Sequence, residues 1–102
     1  MNKHYTQIAE IIIPQHENEW ESMTTLHVFD VSDEKADMIH EAAYEKSDGR
    51  EYDRAAVEDY IMEDLDAHDD YNVMPGAPFH RFSAEFDYPH TVFLWDTIAY
   101  NV

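Results

Sequence analysis

Between His4 and Ile13 the chain sets Ile8, Ile11, Ile12 and Ile13 close together, and the run meets Pro14 before a polar QHENE stretch. This predicts a strand that stops at Pro14 and a turn after it, although Ile8, Ile11 and Ile12 would also suit a short helix. From Trp20 to Val31, WESMTTLHVFDV alternates more clearly. Leu26 and Val28 fall on one side, and Met23, Thr25, His27 and Phe29 on the other, as in a strand. Ser32 is then placed to cap a helix, with Asp33 and Glu34 in a first turn where carboxylates suit the helix dipole. Ala36, Ile39 and Ala43 recur at helical spacing, Lys46 would sit in the last turn, and Asp48-Gly49 supplies the stop.

Asp53 is placed to cap a second helix. Its apolar face would be Val57, Tyr60, Ile61 and Leu65, and it would run to about Tyr71-Asn72 before the loop MPGAP. Finally, Phe82, Ala84, Phe86 and Tyr88 alternate, the chain turns around Pro89, and Val92, Leu94, Trp95 and Ile98 follow as the second half of a hairpin. The expected fold class is α+β: an antiparallel four-stranded sheet with two helices, in the order ββααββ. A length of 102 residues suits one domain over residues 1–102.

Charge changes this picture most. Twenty-three Asp and Glu stand against six Lys and Arg, for a net charge of −17. Residues 1–29 carry four acids and one base, residues 30–71 sixteen and four, and residues 72–102 three and one, so the helical middle holds −12 of the total. In the first helix Glu34, Asp37, Glu41, Glu45 and Asp48 are spaced 3, 4, 4 and 3, which puts them on one stripe. In the second, Asp59, Glu63, Asp66 and Asp70 are spaced 4, 3 and 4, with Glu58, Asp64 and Asp69 beside them. Each helix is expected to be a rail of carboxylates opposite an apolar face, with roughly 5 to 6 Å between successive groups.

Like-charge neighbours at this spacing cost about 0.2–0.5 kcal/mol each, so the two rails together cost on the order of 2 kcal/mol before screening. A face selected for solubility alone would more often mix signs. The imbalance repels nucleic acid and anionic membrane and attracts basic surfaces. Lys and Arg arranged for phosphates also accept carboxylates well. The expected partner is therefore a basic nucleic-acid-binding protein, met through Glu34, Asp37, Glu41, Glu45, Asp48, Glu58, Asp59, Glu63, Asp64, Asp66, Asp69 and Asp70. Tyr44, Tyr52, Tyr60 and Tyr71 lie near these rails, and Tyr at a polar rim is a common interface residue.

Catalytic patterns are few. The absence of cysteine excludes disulfides, thiolate metal sites and a Cys nucleophile. The serines lack a GxSxG setting, and two glycines do not make a phosphate loop. Asp64 and His68 stand at i and i+4 with Asp69 adjoining, which leaves a metal-dependent hydrolase as one alternative. DLDAHDDYNVMP has the length of a calcium loop, but Asp69 replaces its turn glycine and Pro75 its bidentate Glu. His27, His40 and His80 are expected in structural or surface roles. No cofactor is implied, and a non-enzymatic role is expected. No apolar run approaches a membrane span and no secretory signal stands at the start, so the expected location is the cytoplasm.

In size, charge and its two acidic helices, the segment Asp30 to Tyr71 resembles the small acidic inhibitors of phages and mobile elements that mimic nucleic acid, including anti-restriction and anti-CRISPR proteins. That resemblance implies an inhibitor of a bacterial defence nuclease complex acting in the host cell. An immunity protein or antitoxin that neutralises a basic nuclease toxin would use the same surface.

Overall fold

A computed structural model of the chain describes residues 4–17, 20–45, 51–65 and 79–101. Four strands, β1 (Tyr5–Glu17), β2 (Trp20–Val31), β3 (Phe79–Asp87) and β4 (Thr91–Asn101), and two helices, α1 (Asp33–Glu45) and α2 (Arg54–Leu65), follow in the order β1-β2-α1-α2-β3-β4. The fold class is α+β, with one antiparallel sheet in the order β1-β2-β4-β3.

Both helices start where their capping residues stand. Ser32 Oγ accepts the Lys35 amide at 3.1 Å, and Asp53 Oδ1 accepts the Ala56 amide at 3.1 Å. The Asp53 amide donates to the Ala43 carbonyl at 2.7 Å, which joins the start of α2 to the body of α1. The expected ends of the two helices, at Asp48-Gly49 and Tyr71-Asn72, lie outside the described residues, as does the MPGAP loop.

β1 corrects the expectation at Pro14. The strand continues through Pro14, which pairs with Met23, and on to Glu17 opposite Trp20, so Gln15 to Glu17 are strand and not turn. Proline is tolerated because β1 is an edge strand, where the missing N–H need not belong to a ladder. The helical option for Ile8, Ile11 and Ile12 is likewise excluded. The register of β1 on β2 shifts between Gln7 and Ala9, so the isoleucines after it do not simply continue the alternation begun at Tyr5.

The core lies on one face of the sheet. Ile39 and Ala43 of α1 and Val57 and Ile61 of α2 are almost completely buried, in one cluster with Tyr5, Val31, Ala84, Phe86, Val92 and Leu94. The strand register puts these sheet residues on a shared side: Tyr5 opposite Val31, Phe86 opposite Val92, and Ala84 opposite Leu94. Leu26, Val28, Phe93 and Trp95 occupy the other face, where they are only partly buried.

Two loops close the same end of the sheet. The chain reverses over Tyr88–His90, and the Val31 amide donates to the His90 carbonyl at 2.7 Å. The Ser32 amide donates to the His4 carbonyl at 3.0 Å, so the entry to α1 is held by the start of β1.

Candidate functional site

The acids assigned to the partner surface separate into two groups. Glu34, Asp37 and Glu41 of α1 and Asp59 and Glu63 of α2 are exposed, and none pairs with another described residue. Both helices lay their apolar sides on the same sheet face, so these carboxylates point away from a common core. The side chain of Glu45 and the residues Asp48, Asp66, Asp69 and Asp70 lie outside the described residues.

Glu58 and Asp64 differ, because both are turned into the fold. Glu58 Oε2 accepts the Ala84 amide at 3.2 Å and the Ser83 hydroxyl at 3.1 Å. β3 is the second edge of the sheet, so this carboxylate takes up an N–H that would otherwise be offered to solvent. Beside it, Arg54 meets Glu85 at 3.1 Å in an exposed pair worth little by itself.

Asp64 is held more firmly. Its Oδ2 lies 2.8 Å from the Lys35 ammonium and accepts the Tyr5 hydroxyl at 2.9 Å. Lys35 also donates to the Tyr60 hydroxyl at 3.1 Å and sits 5.1 Å from the centre of that ring. Lys35 is only 7% exposed and is the one buried charged residue among those described. This cluster ties β1, α1 and α2 together at the closed end of the sheet. Burial opposes the charged form of Lys35, but its hydrogen bonds to Asp64 and Tyr60 outweigh it and raise its pKa above the usual lysine value. Burial, then the hydrogen bond to Asp64 and its charge, push the Tyr5 hydroxyl far above the usual tyrosine range. Tyr5 therefore stays protonated and donates.

The Asp64 carboxylate is thus already engaged by a lysine and a tyrosine, while His68 and Asp69, its suggested co-ligands, lie outside the described residues. Of the histidines, His27 bonds to Gln7 at 2.9 Å, and His80 is buried against Asp96 on the helix-covered face. His40 stands on α1 with its ring 5.1 Å from Tyr44 and 5.3 Å from Tyr88. Tyr44 in turn meets Tyr52 edge-on at 5.8 Å. Exposed rings of Tyr88 and Tyr52 therefore sit beside α1 at His40 and Tyr44. Tyr71 lies outside the described residues.

The roles of Lys35 and Asp64 have a signal in the sequence, although charge alone does not give it. Lys35 precedes Ile39 by one helical turn, and Asp64 follows Tyr60 and Ile61 by four and three residues. Each therefore falls on the apolar side of its helix. Glu58 adjoins Val57 and stands three before Ile61, on the flank of the same face.

No helix among the described residues is long and apolar enough to cross a membrane. Comparison of the chain with protein-family models, with curated proteins and with solved structures finds no match.

Proposed function

We propose that the protein is an acidic nucleic-acid mimic that binds the basic DNA- or RNA-binding site of a bacterial defence nuclease complex, in the cytoplasm of the host cell. The observation that carries this reading is the sorting of the acids. Those with a structural task, Asp53, Glu58 and Asp64, are bonded within the fold. Glu34, Asp37, Glu41, Asp59 and Glu63 have no described partner, yet their mutual repulsion is retained on the outer sides of two adjacent helices. Carboxylates left free in this way are available to Lys and Arg groups that otherwise hold phosphates, Arg bidentately. The rings of Tyr52 and Tyr88 beside α1 would add flat, amphipathic contact area.

The test is affinity capture from a bacterial lysate, followed by competition against DNA or RNA with the purified captured protein. The expected result is a basic nucleic-acid enzyme whose binding weakens steeply with salt. A combined Asp37→Asn, Glu41→Gln, Asp59→Asn, Glu63→Gln variant should fold normally and lose at least tenfold in affinity. Binding indifferent both to salt and to this variant would overturn the reading. A captured toxin nuclease encoded directly beside this chain would replace it with the immunity-protein reading.

A further inference from the structure

We infer that two copies of this chain associate through the open edge of β1, antiparallel strand against strand about a two-fold axis near Ile11, to form one continuous eight-stranded sheet. The observation is an asymmetry between the two edges. Glu58 of α2 caps the middle of the β3 edge at Ala84, whereas no described residue covers β1 from Ile8 to Gln15. An edge strand leaves alternate N–H and C=O groups without a ladder partner, which is a template for another strand.

Its side chains point to the same occupant. Ile11 and Ile13 lie on the face away from the helices and are 47% and 37% exposed, while Ile12, on the opposite face, is 59% exposed. A second molecule stacked on the bare sheet face would cover Ile11 and Ile13 and leave Ile12 in water. A strand added at the edge shelters both sides.

Charge favours a copy of the chain itself. The eleven residues Tyr5 to Gln15 contain one acid, Glu10, and no Lys or Arg, in a protein of net charge −17. This is a strip on which two such molecules can meet with little direct charge repulsion, and it offers a basic partner a single carboxylate.

The register follows from the strand's own interruptions. The shift between Gln7 and Ala9 limits regular pairing on one side and Pro14, which lacks an N–H, on the other, leaving Ala9 to Ile13. Centred on Ile11, pairing sets Ile11 against its twin, Ala9 against Ile13, and Glu10 against Ile12 of the second copy. The two Glu10 carboxylates are then not opposite each other. The inference is independent of the proposed function, since it uses none of the helix acids.

The experiment is sedimentation equilibrium with light scattering on the full chain, from about 1 to about 200 μM in moderate salt, a range in which small interfaces assemble. The expected result is a rise from the 12.0 kDa monomer toward twice that mass. Ile11→Lys should abolish the rise while leaving circular dichroism unchanged. Because the added lysine lowers the net negative charge, loss of association cannot be assigned to greater general repulsion. Ile12→Lys, on the other face of the strand, serves as a second variant and should do the same. In the wild type, hydrogen exchange over Ala9–Ile13 should slow at least tenfold as concentration rises. A protein that stays at 12.0 kDa throughout, or a dimer that survives both substitutions, overturns the inference.

Discussion

The two edges of the sheet belong to one fold and are treated in opposite ways. At the β3 edge, a carboxylate from α2 takes the Ala84 amide and the Ser83 hydroxyl, so the middle of that edge is capped. At the β1 edge, the Tyr5 hydroxyl ties the start of the strand to Asp64 of α2, and the isoleucines that follow are exposed. An acid that looks like part of a surface charge pattern can therefore be a structural group. Conversely, an apolar run that looks like core can be surface. What decides each case is whether a helix lies over the strand concerned.

The largest expected effect comes from the cluster that ties the start of β1 to the two helices. Lys35→Ala should destabilise the fold by about 2–3 kcal/mol in denaturant titration, toward the low end for a broken buried pair because Asp64 is partly exposed. A loss below about 0.5 kcal/mol would mean that the cluster does not hold the helices to β1. Next is the capped edge of β3. Glu58→Ala removes two charge-assisted hydrogen bonds and should cost about 2 kcal/mol. Its neighbour Asp59, exposed and unpaired among the described residues, should change stability by less than about 0.5 kcal/mol as Asp59→Ala. Equal effects at the two positions would erase the distinction drawn between structural and free acids.

The smallest effect concerns pH. Tyr5 and Lys35 both have folded-state pKa values raised above their unfolded ones. Their contributions are complete below about pH 10 and are lost as pH rises through the folded values, because only the unfolded state releases these protons first. The melting temperature should therefore fall above about pH 10, and Tyr5→Phe should make that fall shallower. An identical alkaline slope in the variant would contradict a tyrosine held protonated against Asp64.

The fold was largely legible because its signals are local. Ser32 and Asp53 announce their helices by capping chemistry, the alternation from Trp20 to Val31 gives β2 as a strand, and the final alternations give the β3–β4 hairpin with its pairing. Pro14 misled because proline bars a strand from the middle of a sheet but not from its edge, and position in the sheet is not a local property.

By itself the sequence determined the fold class, the helix starts and the concentration of charge between Asp30 and Tyr71, since each follows from spacing and composition along the chain. Only the tertiary structure decided which acids are free. Glu58 and Asp64 find Ala84 and Tyr5 across separations of 26 and 59 residues, and no pattern within one helix specifies what a side chain will meet on a neighbouring strand. The open edge of β1 was decided in the same way, because exposure there depends on the strand order that places β2 on one side of it and no described element on the other.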